Sequence, residues 1–165
     1  MIIVSDTSPI SNLFKIGRLD LLRQVFGKVI LPQAVMTELL ELEKRGIDLS
    51  PIKNAEWIEI KAVQEQAKVQ VFLAKMIDEG ESEAIVLAKE LAADFLLIDE
   101  ALGRKIAESE GLKVIGLLGV LRDAKKLGYL SEIKPIIQEL RQTARFRLSE
   151  ALIQLILTEA GELDN

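Results

Sequence analysis

Two short apolar runs, each ending in a carboxylate, most narrow what this chain can fold into. They are Ile2-Ile3-Val4-Ser5-Asp6 at its start and Phe95-Leu96-Leu97-Ile98-Asp99 past its middle. Continuous apolar runs of this length read as strands buried on both faces, the habit of parallel sheets. A helix signal follows each. After Asp6, Thr7 or Ser8 serves as N-cap, with Pro9 at or near the first helical position. Ligands of open α/β sheets bind outside the carboxyl ends of the strands, so Asp6 and Asp99 stand at the mouth of a candidate site. Either aspartate alone would serve equally well as a helix cap; the repeated context argues for a site.

The rest of the chain alternates in the same way. Helices are expected at Thr7–Ile16, closed by Gly17, and at 19–26. A strand at Val29–Leu31 leads through Pro32 into a helix to about Arg45, with Gly46 as its C-cap. Residues 47–56 read as a loop, and Trp57–Ile60 as an edge strand. Further helices are expected at 64–77, 81–92, 101–110, 117–126, 133–142 and 148–159, with a strand at Lys113–Ile115. Strands alternating with helices imply α/β architecture, a parallel sheet covered on both faces. The length suits one domain over 1–165, with 131–165 as a C-terminal helical extension packed on it. No apolar stretch nears the roughly 18 residues of a membrane span. The N-terminus lacks the pattern of a signal peptide, and the absence of cysteine fits the cytoplasm.

Histidine and cysteine are both absent. That removes Ser-His-Asp and Cys-His nucleophilic chemistry and the usual zinc ligands. A metal site here must be built mainly from oxygen, which suits Mg²⁺ or Mn²⁺. The net charge of −5 gives no basic footprint for nucleic acid, although bound cations reverse the local field of an acidic site.

Two further places offer carboxylates. Glu38 falls at the edge of the apolar stripe Val35, Leu39, Leu42 of its helix; it either faces inward or reaches to solvent beside the core. Asp78-Glu79-Gly80-Glu81-Ser82-Glu83 is a dense acidic run. Acids in a first helical turn complement the helix dipole, yet Glu83 borders the apolar Val86 and Leu87. Acids packed together repel one another and raise each other's pKa values, and a divalent cation removes that penalty. Thr7 and Ser8 are positioned to orient water or to cap their helix. Glu100 is an alternative to Asp99 or a supporting group. Arg104, one turn into its helix, suits either a phosphate or the acids nearby, and Arg145 and Arg147 suit either a backbone phosphate or a solvated turn.

At these residues the chain resembles the PIN-like metallonucleases, which include the VapC-type toxin ribonucleases. The resemblance is closest to a branch with an opening Ser5-Asp6-Thr7-Ser8-Pro9, a central Gly80-Glu81-Ser82-Glu83-Ala84 and a later Leu97-Ile98-Asp99 running to Gly103-Arg104. Val114 to Leu121 and Arg145-Phe146-Arg147-Leu148-Ser149 fit the same branch, so the resemblance spans nearly the whole chain. It implies a three-layer α/β/α fold with a central parallel sheet of four to five strands and extra C-terminal helices. It also implies an acidic quartet of Asp6, Glu38, Glu83 and Asp99 holding one or two Mg²⁺ or Mn²⁺ ions. Glu81 competes for the third place and Glu100 for the fourth, and Thr7, Ser8 and Arg104 support the site. The implied activity is hydrolysis of RNA phosphodiesters. A homodimer and an antitoxin partner are implied as well.

Three other readings compete with this one. A receiver-like Mg²⁺-binding module should carry a lysine just after its last strand, and Gly116-Leu117-Leu118-Gly119 has none. A haloacid-dehalogenase-like phosphatase needs Asp-x-Asp after the first strand, and Asp6-Thr7-Ser8 lacks it. A catalytically silent PIN-like scaffold is compatible with the same acids. The apolar face Leu148, Leu152, Ile153, Ile156 and Leu157 of the last helix is expected to cover its own domain or a second subunit.

Overall fold

The computed structural model describes residues 1–163. Five strands form one parallel sheet: β1 (Ile3–Ser5), β2 (Val29–Pro32), β3 (Ile58–Lys61), β4 (Phe95–Leu97) and β5 (Val114–Ile115), in the order β3-β2-β1-β4-β5. The helices are α1 (Thr7–Lys15), α2 (Asp20–Phe26), α3 (Gln33–Glu43), α4 (Ser50–Lys53), α5 (Gln66–Leu73), α6 (Glu79–Glu90), α7 (Ala101–Ser109), α8 (Leu117–Lys126), α9 (Lys134–Gln142) and α10 (Glu150–Glu159). They cover both faces of the sheet, giving the three-layer α/β/α arrangement expected. None of the described helices is long and apolar enough to cross a membrane.

The two-residue period of the strands builds the layers. Ile3, Leu31, Leu97 and Ile115 point to one face and join a core with α1, α2, α3, α8, α9 and α10. Val4, Ile30, Leu96 and Ile98 point to the other, against α5, α6 and α7. Strand β1 is central and wholly buried. Its pairing with β4, Ser5 opposite Leu97, sets Asp6 next to the end of β4. The Asp6 N–H donates to the Leu97 carbonyl at 2.9 Å, which fixes the start of α1 against that strand. The two aspartates expected at strand ends are therefore on adjacent strands.

The structure departs from the expected boundaries in a few places, each with a local cause. Asp6, not Thr7 or Ser8, occupies the N-cap position of α1, and its side chain makes no capping hydrogen bond. Within the expected loop 47–56, the Asp48 carboxylate accepts from the Ser50 N–H (2.9 Å) and hydroxyl and starts the short helix α4. Helix α5 begins two residues late because the Glu90 carboxylate holds the N–H groups of Gln64 and Glu65 (3.0 and 2.9 Å). It ends early, with Met76 left-handed at φ +70°.

The C-terminal pair α9–α10 packs on the larger core through Ile136, Ile137, Leu140, Ile153, Ile156 and Leu157. Leu152, expected on the same covered face, is exposed together with Leu155. Glu162 locks this region in place. Its carboxylate accepts from the N–H groups of Ile133 and Lys134 at the start of α9 and from Lys125 Nζ of α8, all at 2.8–2.9 Å. Burial pushes the Glu162 carboxyl up, but those donors outweigh it and hold it below the ordinary glutamate range.

Candidate metal centre

A cleft of about 530 Å³ opens at the carboxyl ends of β1 and β4. Its walls include Asp6, Thr7, Ser8, Glu38, Asp78, Glu81, Asp99 and Glu100, faced by Ala144–Arg147. Each acid arrives on a different support. Asp6 ends β1, and Asp99 follows β4. Glu38 lies on α3, one turn after the buried Val35 and just before the buried Leu39, so it is half-buried at the edge of the stripe. Asp78 is the N-cap of α6 and accepts from the Glu81 N–H at 2.8 Å. Glu81 follows in the first turn of that helix.

Oxygens of Asp6, Glu38 and Asp78 converge within 4.8 Å of one another. Three buried carboxylate oxygens in the cleft walls, Asp6 Oδ1, Glu81 Oε2 and Asp99 Oδ2, have no hydrogen-bond partner. Buried polar atoms are normally paired, so three orphans of one charge type in one cleft argue for a cation. The other oxygens are well held. Thr7 Oγ1 donates to Glu38 Oε2, and the Gly80 N–H donates to Glu38 Oε1 at 3.2 Å. The Leu117 N–H donates to Asp99 Oδ1 at 2.7 Å.

Glycine makes room for these carboxylates. A Cβ at Gly80 would lie 2.6 Å from Glu38 Oε1, one at Gly103 2.9 Å from Glu81 Oε2, and one at Gly116 3.0 Å from Asp99 Oδ1. Five acids in an all-oxygen donor set, with free buried oxygens and no histidine or cysteine, fit Mg²⁺ or Mn²⁺.

The electrostatics agree. Burial pushes the Asp6 carboxyl well above the ordinary aspartate range; the Thr7 N–H opposes this, and the charges of Glu81, Asp78 and Glu38 add to it. Burial and the charges of Asp78, Glu100 and Glu38 lift Glu81 to about 7. Burial lifts Asp99 to about 6 against the opposing Leu117 N–H and the Arg104 charge. Glu38 is raised by burial too, against its bond from Thr7.

Glu83 is the one member of the expected quartet placed outside the cleft walls. Its Oε1 accepts from the Ala34 N–H at 3.1 Å, satisfying a free donor at the start of α3. Residues two apart on a helix lie about 200° around its axis, so Glu81 and Glu83 cannot face the same way. Asp78 was absent from the expected set; its signal was the N-cap position before Glu79-Gly80-Glu81. Among the supporting residues, Thr7 holds Glu38, and the Ser8 hydroxyl accepts from Asn12 Nδ2 at 3.0 Å. Glu100 is exposed on the cleft rim. Arg104 donates to the Ile98 carbonyl at 3.2 Å and lines the neighbouring groove, not the acid cleft.

Substitution separates the two glutamates. Glu81→Gln is expected to weaken Mn²⁺ binding at least tenfold, with the metal-free fold as stable as before or more so. Glu83→Ala should leave Mn²⁺ binding intact and lower stability by about 1 kcal/mol through the lost cap. Calorimetry and thermal melts on both variants check this, and the reverse pattern would return Glu83 to the site.

Comparison with curated proteins gives no match. A family profile described as "PIN domain" matches residues 2–162, nearly the whole length. With its parallel five-stranded sheet and the acids gathered at the strand ends, the chain belongs to the PIN-domain family.

Proposed function

We propose that this protein is a Mg²⁺- or Mn²⁺-dependent ribonuclease that hydrolyses RNA phosphodiester bonds. The observation that carries this reading is the set of three unpartnered buried carboxylate oxygens in one acid-lined cleft. PIN domains are generally nucleases, and the family match supports a hydrolase at that level. Asp6, Glu38 and Asp78 would hold a divalent ion where their oxygens converge, with Glu81 and Asp99 lining the same cleft. Such an ion supplies an activated water and charge neutralisation at a phosphoryl group.

The chain's own residues do the positioning. Thr7 and the Gly80 N–H fix the Glu38 carboxylate, and the Leu117 N–H fixes Asp99. Both Glu38 oxygens are held by these donors, while Asp99 keeps Oδ2 unpartnered, so the carboxylates are oriented before any ligand arrives. The resemblance to VapC-type proteins further supports a toxin role with an antitoxin partner, and a homodimer. The exposed Leu152 and Leu155 leave apolar surface available for a partner.

The direct test is cleavage of a labelled single-stranded RNA with Mn²⁺, with and without EDTA. Metal-dependent cleavage at internal bonds supports the reading. A protein that binds Mn²⁺ but leaves RNA intact with either metal would instead be a silent scaffold.

A further inference from the structure

Part of the cleft lining is formed by the segment joining α9 to α10, which contributes Ala144, Arg145, Phe146 and Arg147. This strap is anchored. Phe146 is half-buried against the larger core, and its N–H donates to the Leu140 carbonyl at 2.9 Å. Arg145 is held at φ +54°, a left-handed conformation that a non-glycine residue keeps only where its surroundings impose it. The anchored phenylalanine thus sits between two exposed arginines that share the cleft with the acids.

Neither guanidinium forms an ion pair with any carboxylate among the described residues. The strap therefore does not quench the acids; it shares with them the lining of a space of about 530 Å³. A chain of net charge −5 has no long-range attraction for a polyanion. Cations for such a ligand must be local, and arginine pairs with phosphate through two parallel N–H donors. A space of about 530 Å³ has room for part of a single strand and is too small to enclose a duplex.

We propose that the Arg145-Phe146-Arg147 strap is the phosphate clamp of this cleft, gripping the backbone of a single-stranded nucleic acid beside the phosphodiester that lies over the acids. The proposal rests on the nuclease reading and deepens it. Arg145 and Arg147 are positioning residues, and Phe146 fixes the strap.

The test measures binding of a labelled twelve-nucleotide single-stranded RNA by fluorescence anisotropy, across a salt series. Ca²⁺ replaces Mn²⁺, because it fills oxygen sites with a geometry unlike the near-ideal octahedron Mg²⁺ demands. Arg145→Gln with Arg147→Gln should weaken binding at least tenfold at low salt. The slope of log affinity against log salt should become shallower by about 1.4, roughly 0.7 for each single-strand phosphate that the strap no longer neutralises. Ca²⁺ binding and melting temperature should stay at wild-type values. Arg145→Lys with Arg147→Lys should restore the slope, and Arg23→Gln, at a surface pair with Asp20 remote in the chain, should change nothing.

Equal affinity and slope in the glutamine variant would overturn the clamp, and retained Mn²⁺-dependent RNA cleavage would show that the nuclease reading survives it. Failure of the lysine pair to restore the slope would also overturn it. So would loss of Ca²⁺ binding in the glutamine variant, because the strap would then be shaping the acids. A wild-type protein that binds no oligonucleotide overturns the clamp, and absence of Mn²⁺ binding in the same protein would remove the nuclease reading with it.

Discussion

Asp6→Asn is expected to abolish RNA cleavage, by at least about 10³-fold, and at pH 7.5 to raise the melting temperature of the metal-free protein. Both effects come from one residue. Asp6 is 4% exposed, ends the central strand, and its Oδ1 has no partner in the protein. Its burial and the nearby charges of Glu81, Asp78 and Glu38 all disfavour the ionised form. Asparagine keeps the shape and removes the repelled charge, so the fold gains. The same change removes a ligand at the centre of the acid set. Charge stabilisation by a bound metal amounts to several kcal/mol, and each 1.36 kcal/mol is tenfold in rate, which gives the expected factor. Single-turnover cleavage and a thermal melt on the same preparation read both effects. Activity within tenfold of wild type would remove Asp6 from the site, and a large loss of stability would make it a structural residue.

The second large effect is a pH-dependent response to metal. The folded-state pKa values of Asp99 and Glu81 are lifted to about 6 and about 7, and those of Asp6 and Glu38 are raised in the same direction. A carboxyl raised in the folded state binds its proton more tightly there than when unfolded. Its contribution to stability is therefore complete below about pH 4, near the ordinary carboxylate values, and is lost as pH rises through the folded values near 6 and 7. The metal-free protein should accordingly lose stability from about pH 4 to 8 at these sites. Metal binds the deprotonated acids and reverses this loss. At pH 8, Mn²⁺ at a hundredfold excess over its Kd adds about 2.7 kcal/mol, or roughly 5–10 °C for a chain of this size. At pH 5 the same Mn²⁺ should shift the melt by no more than about 1–2 °C, since protons compete for the ligands. Equal shifts at both pH values would contradict this account of the cleft.

The fold was largely legible because its strands are apolar on both sides and end abruptly. The runs before Asp6 and Asp99 read as internal parallel strands; that they are neighbours is seen only in the sheet, since the equally buried β2 also pairs with β1. The edge of its apolar stripe left Glu38 either inward or in solvent, and the family resemblance chose between the two. The third acid was not. Helix α6 is buried from Gly80 through Ala88, so it has no solvent face against which Glu81 and Glu83 could be oriented. Only the packing of α3 across it shows that Glu83 caps Ala34 while Glu81 faces the cleft. Asp78 was hidden for a related reason: an acid at a helix N-cap carries the same local signal whether it caps, binds a metal or does both. Arg145 and Arg147 stand far along the chain from the other cleft residues. They reach it because α9 and α10 pack on the larger core and Phe146 anchors the segment between them, tertiary contacts with no local pattern in the sequence.

The most direct measurement is isothermal calorimetry of Mn²⁺ at pH 7.5 on the wild type and on Asp6→Asn combined with Asp99→Asn. Saturable binding at one or two sites is expected in the wild type, with protons released as the raised acids ionise, and no binding in a double variant that melts at the same temperature or higher. Absence of binding in the wild type, or unchanged binding in the double variant, would contradict it.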